Sequence, residues 1–442
     1  MTADGFGSVV ITAAPLRSRA GTVLIIGRSG GDDSFPACSF CRHPAARPST
    51  GAGAPAARLR HVTDQPARRP VVGMVGAGQL ARMTCQAAIS LDIGFRVLAD
   101  SPADSAAAVC PDVMTGDYTS LADLTAFAAG CDVVTFDHEH VPGQHLTELM
   151  AAAVTVRPGP EALSHAQDKL TMRQEMTSLG LPCPRFAPVS AAADVAGFAA
   201  GSGWPVVLKA VRGGYDGRGV WICETPADAA EVLRHGVAVI AEEYVPFRRE
   251  LAALVARSPH GQAAAYPVVQ TVQRDGVCQE VIAPAPELPA GLAAEAQRMA
   301  LTIAGRLGVT GLLAVELFEA GSGLLVNELA MRPHNSGHWT IDGARTSQFQ
   351  QHLRAVLDLP LGDPRPVARH TVMANVFGGD DPDVYGRYVH VMAADPGVSV
   401  HLYGKAVRPR RKIGHVNVTG DDVDDLRERA GRAARYLGDG KE

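Results

Sequence analysis

Between residues 70 and 165, short apolar runs alternate with Ala-rich stretches of helical spacing. Val71–Val75, Phe95–Leu98 and Val133–Phe136 read as strands, and this alternation predicts a parallel α/β unit. From 166 to 364 the pattern changes to helices mixed with longer strands and hairpins, an α+β arrangement. Within it, Leu312–Phe318 and Leu324–Ala330 read as paired strands around a turn at 319–323. From 365 to 442, short strands such as Thr371–Val376 precede an amphipathic helix near Asp425–Tyr436. Residues 1–68 break the pattern. They are rich in Ala, Pro, Gly, Ser and Arg, contain no Glu or Lys, and show no sustained periodicity. They predict a disordered extension or a start codon assigned too early. The ordered protein is expected as units 69–165, 166–364 and 365–442.

Composition narrows the class. The 442 residues are 46% hydrophobic with a formal charge of -5, which suits a soluble protein with cores for two or three domains. With no concentrated basic face and 5% aromatic residues, nucleic-acid binding is not expected. No apolar run approaches the length of a membrane span. Of eight scattered cysteines only Cys38 and Cys41 form a C-x-x-C pair, too little for zinc, and the usage fits a reducing cytoplasm. Among 41 Lys+Arg the lysines are only Lys169, Lys209, Lys405, Lys412 and Lys441. Where Arg serves as the generic cation, a surviving Lys points to a need for a compact ammonium, as at a tight phosphate site.

Candidate chemistry centres on residues 327–340, where the apolar run Leu324-Leu325-Val326 leads into Asn327 and Glu328. Arg332, His334, Asn335, Ser336 and His338 follow within seven positions. So many polar groups could not be buried unpaired, so the strand end is expected to present a binding surface. The predicted hairpin sets Glu316 opposite Glu328 or one position from it. Like charges roughly 5 Å apart at Cβ are destabilising and ask for a cation. Hard oxygen ligands beside a phosphate suit Mg²⁺.

Two glycine-rich segments add to this. Gly76-Ala77-Gly78-Gln79-Leu80 resembles a dinucleotide fingerprint with Asp100 as its acidic partner, so an NAD-dependent oxidoreductase and a plain strand-to-helix turn both stay open. In 205–221 a buried-type strand carries Lys209 and leads into Gly213, Gly214, Gly217 and Gly219. Amides of such a loop can wrap a triphosphate while Lys209 meets it as a point charge, although the order is not that of a Walker loop. Val239–Val245 leaves a strand edge that could read an adenine and a ribose through Glu242 and Glu250, or that carries only solvated glutamates.

Taken in order, these segments resemble one family. They are Gly76–Leu80, Gln167-Asp168-Lys169, Gly213–Gly219, the Glu242/Glu250 segment, Asn327-Glu328 through Asn335–His338, Ser347-Gln348-Phe349, and His401–Lys405 with Arg411–His415. Residues 70–418 resemble the N5-carboxyaminoimidazole ribonucleotide synthase family of ATP-grasp ligases. The resemblance implies an ATP-grasp fold with a Rossmann-like pre-ATP-grasp domain and a small C-terminal domain. It implies ATP- and bicarbonate-dependent carboxylation of 5-aminoimidazole ribonucleotide through carboxyphosphate, in a cytoplasmic homodimer whose product passes to a mutase.

By the same resemblance, Lys169 and Lys209 hold ATP phosphates under the loop Gly213, Gly214, Tyr215, Asp216, Gly217, Arg218 and Gly219. Glu242 and Val245 border the adenine and Glu250 the ribose, while Glu316 and Glu328 ligate Mg²⁺ beside Asn327. Arg332 and the loop His334, Asn335, Ser336 and His338 form the bicarbonate and carboxyphosphate site. Tyr215, Asp216, Lys405, Arg411 and Lys412 hold the aminoimidazole ribonucleotide, with Gln79 and Leu80 closing over it and Asp216 orienting or deprotonating its amine. Met331, Asp137-His138-Glu139 and Gln273 depart from the usual Pro, Glu-Phe-Glu and His. His138 and His140 read as a strand end facing the cleft rather than as a metal pair. Two rival readings are an ATP-grasp ligase with another acyl donor or amine, and a nucleotide-binding regulator without catalysis.

Overall fold

The computed structural model describes residues 10–11, 68–214 and 217–440. A four-stranded parallel sheet comes first, in the order Asp112–Thr115, Gly94–Ala99, Val71–Val75, Val133–Phe136. Every residue of Val133–Phe136 is buried, as are Val72–Val75. Helices cover both faces of a parallel sheet, which is why these strands read as continuous apolar runs. The turn into helix Gln79–Ser90 needs its glycines. Gly76 has φ +96, and a Cβ there would lie 2.9 Å from Asp137 and from His138. A Cβ on Gly78 would lie 2.5 Å from Asp137 Oδ2. The next parallel strand therefore exits directly against this turn.

A second, antiparallel sheet forms a small lobe in the order Phe186–Val189, Val239–Glu243, Val206–Ala210, Val220–Cys223. The third sheet is large and antiparallel, built around Phe247–Arg257, which pairs with both Val269–Arg274 and Gly311–Ala320. At its edge Val10–Ile11 pairs with Ala263–Ala265. The other end extends from Val277–Ala283 to His370–Phe377, then Lys412–Gly420 and Ser399–Leu402. The C-terminal segment from His370 thus continues the central sheet while packing a core of its own. Val376, Ile413 and Val416 meet Leu426 and Leu437 of helix Val423–Asp439 there. That helix starts at Asp422, whose side chain accepts from the amides of Asp424 and Asp425, and stops at Gly440 with φ +73. Both ends follow ordinary capping chemistry.

The predicted hairpin is present and longer than expected: Gly311–Ala320 and Gly323–Ala330 leave only Gly321 and Ser322 for the turn. Glu316 lies directly opposite Glu328, but Leu317 pairs with Val326, so Asn327 is an extra residue in the ladder. Such a bulge places two successive side chains on one face where strict alternation would split them. Arg68 ion-pairs with Asp132 at 3.1 Å, just before the expected start of the first unit. Cys38, Cys41 and nearly all of 1–68 lie outside the described residues. Among the described residues no helix is long and apolar enough to cross a membrane.

Candidate active site

The three sheets converge on one cavity of about 1160 Å³. Lys169 opens helix Lys169–Ser178, whose N-cap Asp168 accepts from the Thr171 amide at 2.9 Å. Its ammonium reaches Glu328 Oε1 at 2.7 Å. Lys209, on Val206–Ala210, donates to Glu242 Oε2 at 2.8 Å and to Asn327 Oδ1 at 2.9 Å. Burial pulls the Lys209 pKa down, with Glu242 opposing. Burial alone would push Glu242 up, yet Lys209 and Arg173 outweigh it and hold this carboxyl at about 2. Both oxygens of Glu242 are committed to cations, since Arg173 Nε binds Oε1 at 2.7 Å. Glu242 borders the cavity as expected, but its carboxylate is not free to read a base.

The bulge brings Asn327 and Glu328 together onto the cavity wall facing Glu316 and Glu250. Burial first, then the charges of Glu328 and Glu250, raises Glu316 to about 8. Burial likewise raises Glu250 to about 7 against the pull of Lys209. Carboxyls held so far above their ordinary value mark a place short of positive charge. His334 Nε2 stands 3.3 Å from Glu316 Oε1. Among the described residues no three metal-ligating side chains cluster as a complete cage. Two facing carboxylates still fit Mg²⁺, which keeps waters and substrate phosphates as its other ligands.

Part of the cavity wall is apolar. Phe247 and Phe318 stack at 4.7 Å and 7°, and Val220, Ile222 and Val245 also line this part of the cavity. Gly213, Gly214 and Gly217 line it too, whereas Arg218 and Gly219 do not. Tyr215 and Asp216, both expected at the substrate, lie outside the described residues.

The polar loop forms the middle of the cavity. Arg332 Nε pairs with Glu139 Oε2 at 2.8 Å. Gln348 clamps the loop: its Oε1 accepts from the His334 amide at 2.9 Å, and its Nε2 donates to the His334 carbonyl at 2.8 Å and approaches His338 Nδ1 at 3.0 Å. Burial, then the charge of Arg332, lowers His334 to about 3, and burial with Lys412 lowers His338 well below its ordinary range. Both rings are neutral at pH 7 and can accept hydrogen bonds. Among the described residues, the buried amide of Asn335 has no partner apart from the Cys278 thiol beside it. Ser336 also lines the cavity.

At the far end the Lys405 ammonium donates to Gln79 Oε1, joining the first and last thirds of the chain. Leu80 and Lys412 line this end. Arg411, expected there, is exposed and donates to the Ala406 carbonyl at 3.3 Å instead of lining the cavity. Gln273 lines the cavity and Met331 is fully buried. His138 stacks on His140 at 5.3 Å and meets the Tyr118 ring at a tilt of 60° and 4.6 Å. Asp100, the acidic partner of a dinucleotide site, is not in the wall. Sequence reasoning passed over Arg173, and it named Glu139 and Gln348 within their segments without giving either a role. A cation at 173 among buried Met172 and Met176 was the signal for the first.

Three family models match successive parts of the chain: the ribonucleotide synthetase preATP-grasp domain at 70–167, the ATP-grasp domain at 174–349, and the phosphoribosylaminoimidazole carboxylase C-terminal domain at 371–429. The N5-carboxyaminoimidazole ribonucleotide synthase of Mycobacterium tuberculosis is 60% identical over 380 residues, covering 84% of this chain and 89% of that one. That of Corynebacterium ammoniagenes is 50% identical, covering 83% and 92%. Among solved structures, the Thermus thermophilus synthetase has 37% identity and a TM-score of 0.76, covering 83% of this chain and 98% of that chain. The Aspergillus clavatus synthase, solved with ADP and 5-aminoimidazole ribonucleotide, has 31% identity and a TM-score of 0.76, covering 84% and 98%. The geometry of the cleft and these likenesses agree: the chain belongs to the N5-carboxyaminoimidazole ribonucleotide synthases, ATP-grasp ligases of purine biosynthesis.

Proposed function

We propose that the cavity divides into an ATP half and a ribonucleotide half, with bicarbonate activated between them. As a member of this family the enzyme uses ATP to carboxylate 5-aminoimidazole ribonucleotide to the N5-carboxyamino product. In our reading the adenine lies against the apolar wall that includes Phe247 and Phe318, and Glu250 receives the ribose. Lys169 and Lys209 meet the phosphates under Gly213–Gly219. Glu316 and Glu328 hold Mg²⁺, which offsets charge on the transferred phosphoryl group.

A bicarbonate oxygen attacks the γ-phosphorus as the bond to ADP breaks, giving carboxyphosphate. Arg332 and the neutral His334 and His338 orient this species and exclude water, which would otherwise hydrolyse it. Its C–O bond to phosphate breaks, and the exocyclic amine of the ribonucleotide bonds to the released carbon. Asp216 orients that amine or takes its proton. Lys405 and Lys412 hold the ribonucleotide phosphate, with Gln79 and Leu80 closing over it.

The opposed Glu316 and Glu328, flanked by Lys169 and Lys209, carry this reading. An NAD site at Gly76–Gly78 is disfavoured because Asp137 Oδ2 already accepts from the Gly78 amide. We further propose the units 69–165, 166–364 and 365–442, a cytoplasmic homodimer, and a mutase that takes the product. ADP release is expected to require Mg²⁺ and bicarbonate and to rise on adding the ribonucleotide. Equal release without it would count against the substrate assignment.

A further inference from the structure

One turn after Lys169, the same helix carries an arginine that the chemistry above leaves unused. Arg173 is fully buried, with no exposed surface. Its Nε donates to Glu242 Oε1 at 2.7 Å, and its Nη1 to the Val326 carbonyl at 2.9 Å. The other Glu242 oxygen accepts from Lys209, which also donates to Asn327 Oδ1. Since Asn327 follows Val326 in the chain, the contacts close into a ring: Arg173, Glu242, Lys209, Asn327, Val326 and back to Arg173. The ring ties together the helix of Lys169, two strands of the small lobe and the bulged strand of Glu328.

Burying a guanidinium is costly, and a site beside Met172 and Met176 could hold an apolar side chain instead. What an apolar residue could not supply is a rigid fork with donors aimed at two different elements. The charge matters as well. Glu242 here divides its attraction between two cations. Without Arg173 its whole charge would fall on Lys209, drawing the ammonium onto the carboxylate and away from any incoming phosphate.

We propose that Arg173 is a positioning residue for ATP: its fork fixes Glu242 and the carbonyl that opens the bulge, and so holds Lys209 and the Asn327–Glu328 pair ready for the nucleotide. This rests on the reading that Lys209 meets an ATP phosphate, and the experiment separates the two claims.

Steady-state kinetics are measured for Arg173→Lys, Arg173→Met, the double variant Arg173→Met/Glu242→Gln, and Lys209→Met, each confirmed folded by thermal melting. Arg173→Met should raise KM for ATP about ten- to hundredfold, the range for one lost contact to a charged group, with KM for the ribonucleotide within about twofold. Arg173→Lys keeps the charge but not the fork and should fall between it and the parent. The double variant should recover at least about threefold of the ATP defect, because a neutral amide in place of the Glu242 carboxylate no longer captures Lys209. Simple loss of packing would make the double variant worse. If Arg173→Met does not fold, Arg173→Lys and the double variant decide.

Arg173 variants with KM for ATP within about twofold of the parent, an equal rise for both substrates, or a double variant no better than the single would each overturn the proposal. If Lys209→Met leaves ATP kinetics unchanged, the phosphate role of Lys209 fails and the inference falls with it. If Lys209→Met is impaired while the Arg173 variants are not, only the inference fails.

Discussion

Glu316 carries the most informative charge in the cleft, because its surroundings favour the protonated acid. Its folded-state pKa, near 8, lies above the ordinary 4.5. A carboxyl raised in this way contributes stability that is complete below about 4.5 and lost as pH rises through about 8. Glu316→Gln removes that dependence. Without Mg²⁺ and nucleotide, its Tm should match the parent's near pH 4, exceed it increasingly up to about pH 8, and level off above. Its ADP release should be lost throughout. A Tm gap that stays constant over this range would remove the frustrated-carboxylate account.

Residue chemistry was legible where a residue type was scarce or conspicuous. Lys169, Lys209, Lys405 and Lys412, singled out by the rarity of lysine, all line the cavity. Arg173 and the bridging role of Gln348 were not legible, because only folding reveals what they join. Arg173 reaches its partners across 69 and 153 residues.

At the scale of elements, alternation and turn residues predicted the paired strands around Ser322 and the parallel unit before them. They left open whether Glu316 and Glu328 meet, because an apolar pattern cannot reveal one extra residue in a ladder. The loop beyond the hairpin depends on Gln348, which is fully buried. There is no room around it, since a Cβ on Gly337 would lie 2.3 Å from Gln348 Oε1. Gln348→Ala would leave the half-buried His334 amide unpaired, at a cost of about 1–3 kcal/mol, while the His334 carbonyl keeps the Gly337 amide at 2.9 Å. Denaturant melts should show a loss of that order, and kcat should fall about tenfold or more with KM for ATP within about twofold. Unchanged kcat would show that the His334–His338 loop holds its shape by other means.

Over the whole molecule, the cavity draws one wall from each sheet, and its two halves can be separated by mutation. Lys405 is bonded to Gln79, and Lys209 to Glu242 and Asn327. Lys405→Ala should raise KM for the ribonucleotide about ten- to hundredfold, as expected for one lost charge-assisted phosphate contact, with little change for ATP. Lys209→Ala should show the opposite preference. Arg411→Ala should have the smaller effect, because that side chain is exposed and outside the cavity wall. Substrate titrations of the three variants decide this, and a Lys405 variant that lost ATP affinity alone would invert the division of the cleft. Joining the C-terminal segment to the central sheet was beyond the sequence, because pairing between Val277–Ala283 and His370–Phe377 spans some ninety residues without a local signal.

The extra residue at 327 also bears on how such a chain can change over generations. Without it the ladder would be regular and Glu328 would still oppose Glu316; only Asn327, an acceptor for Lys209, would be gone. Losing that single codon should therefore leave a protein that folds at least as readily and turns over less well. Selection for sturdiness and selection for purine supply pull in opposite directions there, so the irregular pairing persists only while the organism needs the enzyme's product.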